Sequence, residues 1–141
     1  MAKLTTINDA LAEALMITGS FKGLMDGFTL TLYSAGSGVP ANADVAITDQ
    51  VALCAIAGLN FNTTAPSGVL QKEAAAWSGT NNAFGADTVA AFCRLTKGSY
   101  VIQGTVGLAG CNVTLPDILL VASAAQPVNS CAFAFTKSNA G

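Results

Sequence analysis

The chain contains no histidine. That removes the commonest general base, every triad built on an imidazole and every His-ligated metal site. Charge is also scarce: six Lys+Arg and eight Asp+Glu in 141 residues make 10%, against about 25% in an average globular chain. The net charge of −2 is too weak, and of the wrong sign, to grip nucleic acid or an anionic membrane surface, so neither is an expected partner. Close cysteine pairs are missing. Cys54, Cys93, Cys111 and Cys131 lie far apart in the chain, without the short chelating knuckle that zinc and iron–sulfur sites use. Apolar neighbours such as Leu53, Phe92 and Ala132 mark them as buried free thiols, with a disulfide between two of them as the alternative. A nucleophilic role is not expected, since no imidazole exists to activate one. The run Gly104 to Gly107 has neither P-loop nor dinucleotide-fingerprint spacing, so no cofactor is expected. Long apolar runs are absent as well. Ile118 to Ala125 is far short of the roughly 20 residues that span a bilayer. Asp9 and Glu13 interrupt the stretch after Lys3, which argues against a secretory signal and for synthesis in a cytoplasm.

What is present is a chain 52% apolar, which is incompatible with disorder. Its length suits one domain, able to bury roughly two-thirds of its unfolded surface without a metal or disulfide staple. So little charge leaves much of the surface to Ala, Gly, Ser, Thr and Asn. Such a surface is expected to be covered by other copies of the chain or by a larger assembly. The alternative is a neutral monomer kept soluble by hydroxyls and amides.

The hydrophobic period divides the chain into an N-terminal helix or arm over residues 1–27 and a β-domain over 28–141. Leu4, Ile7, Leu11 and Leu15 form one stripe at a 3.6-residue period, with Thr6 to Asp9 resembling a capping box and Gly19 a stop. The stripe packs either on its own domain or on a neighbouring subunit. From Phe28 the pattern alternates, as in a half-buried strand, and Ser34 to Asn42 follows as a turn-rich loop containing Pro40. Further strands are expected over Val51–Ala57, Thr88–Leu95, Tyr100–Val106, Cys111–Leu115, Ile118–Val121 and Val128–Phe135, and at Val69–Leu70 after a Pro66–Gly68 turn. Thr96 to Ser99 makes a hairpin turn with Gly98 at a positive φ. Trp77 to Gly85 reads as an exposed Gly/Asn-rich loop with Trp77 and Phe84 as anchors. One helix followed by seven or eight short strands predicts a mainly β fold: an antiparallel, jelly-roll-like β-sandwich.

Few residues offer chemistry. Asp44, Asp49, Asp87 and Asp117 fall at loops and strand ends. Two of them could form an acid/base pair, but solvated turn positions are the expected role. Arg94, the sole guanidinium, is expected in an ion pair with Asp87 or Glu73, or with a partner chain. Trp77 and Phe84 serve packing or an interface in preference to stacking on a sugar or base.

The order of these parts resembles a family of small tailed-phage and prophage virion structural proteins. The resemblance rests on the helix with Asn8 to Ala12, Leu30 to Gly36, the Pro40 loop and Gly68 to Leu70. It is sharpest in the strand Ala91 to Leu95 and the run Gln103 to Gly107, and it continues through Asn112 to Leu115 and the Phe-rich end. The resemblance implies a β-sandwich that decorates or cements capsids and has no catalytic motif. Its expected partners are the major capsid protein and further copies of itself, as a homotrimer or, alternatively, a dimer, on the surface of a virion. Under it the candidate interface residues are Leu4, Ile7, Leu11 and Leu15 of the helix, Pro40, Trp77 and Phe84. A tail or baseplate component and a glycan-binding module built on Trp77 and Phe84 are the alternatives, with an enzyme working through carboxylates alone last.

Overall fold

The computed structural model describes residues 6–18, 21–62 and 69–134. Leu4, Gly19, the Pro66–Gly68 turn and Phe135 lie outside the described residues. The elements run β1 (Thr6–Ile7), α1 (Asp9–Thr18), α2 (Phe21–Met25), β2 (Phe28–Tyr33), β3 (Ala52–Leu59), β4 (Val69–Gln71), β5 (Trp77–Thr80), β6 (Thr88–Val89), β7 (Phe92–Lys97), β8 (Tyr100–Gly107), β9 (Val113–Thr114), β10 (Leu119–Leu120), β11 (Ala125–Val128) and β12 (Ser130–Ala134). The chain is mainly β, as its alternating segments predict. Among the described residues one sheet has the order β3-β2-β7-β8-β9-β12-β4, with β1 also paired to β8, and two-stranded ribbons join β10 to β6 and β11 to β5.

Two expectations are corrected. The sheet is mixed, because β9 runs parallel to β8 at Val106–Val113 and Gly107–Thr114. The turn after β8 returns the chain to the same edge of that strand, where β1 already holds the antiparallel position opposite Ile102 and Gln103. A short second helix, α2, also stands before β2. The first helix begins later than its stripe suggests. Ile7 lies in β1, and Asn8 caps α1 by accepting the Leu11 amide on its Oδ1 (3.1 Å). Thr6 is not the cap, because its hydroxyl accepts the Ala43 amide of the loop above it (2.8 Å).

The two faces of the central sheet differ. On one, Leu30, Leu95 and Ile102 stand in register across β2, β7 and β8, with Leu32 and Cys93 beside them, all fully buried. Leu11 of α1 and Met25 of α2 join this core, and Ile7 and Leu15 pack against it. Of the described stripe residues, Leu11 is therefore covered by its own chain, and Ile7 and Leu15 are partly covered. An aromatic group extends the core: Phe28 stacks on Phe61 (centroids 4.7 Å apart), and Trp77 meets both rings edge-on. Among the described residues no helix is long and apolar enough to cross a membrane.

Candidate functional site

The opposite face carries a polar row. Thr31, Arg94, Gln103 and Thr6 are register partners across β2, β7, β8 and β1. Side chains opposite one another across strands are near neighbours, and the Arg94 Nε donates to Gln103 Oε1 at 3.0 Å. Over this row lies the long connection between β2 and β3, residues 34–51. Arg94 Nη2 donates to the carbonyls of Val45 (2.5 Å) and Asn42 (3.3 Å). Gln103 Nε2 donates to the carbonyl of Pro40 (2.7 Å). Thr6 takes the Ala43 amide as described, and Asp44 Oδ1 accepts the Asp9 amide at the start of α1 (3.1 Å). A connection this long without regular structure usually means a working loop or a disordered one. Here three side chains on the sheet, and a loop carboxylate on a helix amide, hold it down.

The loop is also braced from within. Asp49 accepts the Ser37 amide and hydroxyl (2.8 and 3.0 Å), and the Ser37 hydroxyl above all holds its carboxyl below the usual range. Gly36, at φ +55°, passes so close to Asp49 that a Cβ there would meet its Oδ1 at 2.8 Å and its backbone at 3.0 Å. Gln50 Nε2 donates to the Gly38 carbonyl (2.6 Å). The outcome is a fixed loop that presents Val39, Val45 and Val51 to solvent at 43%, 42% and 49% exposure.

Arg94 is only 7% exposed and lies against neutral acceptors, so the expected ion pair with Asp87 or Glu73 is corrected. Glu73 sits elsewhere, accepting the Trp77 indole N–H (3.3 Å) and the Asn60 amide (3.3 Å). Burial draws the Arg94 pKa below its ordinary value, but a guanidinium remains charged at neutral pH. A buried charge is tolerable only when hydrogen-bonded, and Gln103 and the loop carbonyls supply those bonds. Gln103 was not singled out by sequence, although a signal was there: the hairpin closed at Gly98 pairs Lys97 with Tyr100 and therefore Arg94 with Gln103.

The candidate interface residues mostly face inward. Leu11 is fully buried, and Pro40, on the side of the loop that meets the sheet, is buried too. Trp77, 1% exposed, begins β5 and not an exposed loop. Its strand pairs with β11, Trp77 opposite Val128 and Ser78 opposite Pro127. Gly79 packs this ribbon against β3, where a Cβ would meet Ile56 Cγ1 at 2.9 Å. Phe84 is half-buried against the core. Among the described residues, the large apolar side chains that do face solvent are Met16, Leu108, the three loop valines and Val89, Leu119 and Val121. The carboxylates are dispersed: Asp44 and Asp49 brace the loop, and Asp117 Oδ1 accepts the Leu119 amide (3.0 Å) in a different part of the surface.

All four cysteines are free thiols; Cys54, Cys93 and Cys131 are buried as expected, whereas Cys111 is only half-buried. Burial pushes the Cys93 thiol up to about 12 and raises Cys131 and Cys54 above the ordinary thiol range. Folding thus favours the protonated Cys93. Its contribution to stability is complete below the unfolded value near 9.0 and is lost as pH rises through 12. The urea midpoint is expected to fall steadily above pH 9, and the Cys93→Ala variant to show a shallower fall. Parallel pH profiles for the two proteins would remove Cys93 from the effect.

Compared with protein-family models, curated proteins and solved structures, the chain matches none.

Proposed function

We propose that this chain is a phage virion structural protein, a capsid decoration or cement protein that stabilises the head by bridging capsomers as an oligomer. The observation that carries the reading is the clamped loop 34–51. A buried Arg94–Gln103 pair holds an ordered connection whose exposed residues include three valines among small and polar neighbours, on a chain with little charge. Aliphatic side chains held rigidly at a surface lose little entropy on docking, so they suit a contact repeated in many copies. Under this reading the curled sheet, backed by the β5–β11 ribbon, serves as the jelly-roll-like sandwich of such proteins. The contacts move from the buried Leu11, Pro40 and Trp77 to Val39, Val45, Val51 and Met16. The major capsid protein is the partner, and a homotrimer at local threefold positions is the favoured assembly.

The test is sedimentation of the purified protein at high concentration, alone and with phage heads that lack it. A trimer that loads onto heads is expected. Val45→Asp should abolish loading while leaving the thermal midpoint within about 2 °C, since an exposed substitution costs little. A monomer with no affinity for heads would overturn the reading, and a hexamer that copurifies with tails would replace it with the tail alternative.

A further inference from the structure

We propose that a cavity between β10 and β11 receives an arginine side chain from a partner protein. The cavity has a volume of about 200 Å³ and is walled by Asn81, Pro116, Asp117, Leu119, Val121 and Pro127. It is smaller than the roughly 300–1,000 Å³ of small-molecule sites and fits one long side chain. The inference goes beyond the virion reading and does not depend on it.

Asn81 is 3% exposed, its Nδ2 donates to the Val121 carbonyl (2.9 Å) and to Gln126 Oε1 (3.3 Å), and its Oδ1 has no partner. The network fixes that orientation. Gln126 commits its Nε2 to the Pro127 carbonyl (2.9 Å), which turns Oε1 toward Asn81. Exchanging the Asn81 amide atoms would set oxygen against oxygen at both contacts. The unmet group beside the cavity is therefore an acceptor, the Asn81 Oδ1, which is itself buried.

Charge and shape select the donor. No basic residue among the described ones lines the cavity, and Asp117 stands in its wall with one oxygen on the Leu119 amide. Leu119 and Val121 are exposed, and Val89 lies directly opposite Leu119 in the β6–β10 pair. A donor-rich cation on an aliphatic stem matches this set: head toward Asn81 and Asp117, stem along Leu119 and Val121. A second copy of the chain is excluded as the donor, because its sole arginine is Arg94, buried under the loop.

Asn81 is bonded to both ends of the turn 121–124. Ser123 holds φ at 64°, the one non-glycine residue at positive φ among the described residues. Its amide and that of Ala124 make long bonds, both 3.2 Å. Backbone held in sparsely populated regions gathers where a structure must give way to a ligand. Binding of the guanidinium requires a shift of this turn that exposes Oδ1.

Titration of the ¹⁵N-labelled protein with blocked amino acids tests the proposal. N-acetylarginine amide should give saturable shifts at the Asn81 side-chain amide and along residues 121–126. N-acetylglutamine amide, of similar reach but neutral, should bind about ten-fold more weakly, and N-acetyl-lysine amide should also be weaker, because one point donor cannot serve both acceptors. Asp117→Asn keeps the oxygen that accepts the Leu119 amide, so the spectrum should stay native while arginine binding weakens about five-fold. Absence of saturable shifts at tens of millimolar, equal binding of the glutamine or lysine derivative, or an unaffected Asp117→Asn variant would overturn it. So would tighter binding of free arginine, whose charged α-groups lie at the far end of the stem; that result would mark a small-molecule site.

Discussion

Replacing Arg94 with methionine is expected to cost about 2–4 kcal/mol and to release the loop 34–51 from the sheet. Methionine matches the stem of arginine in length, so the loss comes from the head. Three acceptors, Gln103 Oε1 and the carbonyls of Asn42 and Val45, lose their donor at once. Bonds to a charged donor contribute about 1.5–3 kcal/mol each, and they are not additive within one network. Arg94→Lys retains the charge but cannot reach Gln103 and the loop carbonyls together, so it should lose about half as much. Urea denaturation measures the stability. Amide exchange at Ala43 and Val45 measures the release of the loop, and it should accelerate far more than exchange at Leu95 in the core. If both variants kept wild-type stability and slow loop exchange, Thr6 and Asp44 would be the anchors and Arg94 a bystander. Under the virion reading, the released loop also loses its grip on heads.

Truncating Trp77 to alanine should cost about 3–5 kcal/mol, a large share of the roughly 5–15 kcal/mol that holds a domain of this size together. The indole packs edge-on against the stacked pair Phe28 and Phe61, donates to Glu73 and lies under the Lys72 ammonium, which is 5.6 Å from the ring centroid. Trp77→Phe keeps a ring against both phenylalanines and should lose about 1–2 kcal/mol. The expected signature is a lower denaturant midpoint with broadened core resonances. A Trp77→Ala protein as stable as wild type would mean that the ring stands outside the core. Sugar stacking could then be reconsidered; a ring 1% exposed offers no face for it.

Where the pattern of the chain was legible, the reason is local. Phe28 to Tyr33 alternates because one face of β2 is buried and the other only partly so. The Gly98 turn follows from its left-handed backbone, at φ 58°. The segments that were misread depend on distant partners. Trp77 to Thr80 contains a glycine and looks like loop, yet Gly79 is the residue that allows β5 to approach Ile56. Its partner strand carries Pro127, which a strand reading would discard, but the ribbon has only two strands and proline is tolerated at an edge. Thr88 to Leu95 reads as one strand because nothing within it signals a break. It splits because Thr88 and Val89 pair with β10, whereas Phe92 onward pairs with β2 and β8.

The candidate site divides along the same line. That the protein would lack histidine chemistry, be mainly β, bury its cysteines at 54, 93 and 131 and expose little charge follows from composition and period, which need no knowledge of neighbours. Which aromatic is core, which strand runs parallel, and that Arg94 reaches under a loop some fifty residues earlier in the chain were settled by folding alone. A side chain chooses its partners by distance in space, and one-dimensional order carries that distance only across a single turn of helix or one tight hairpin.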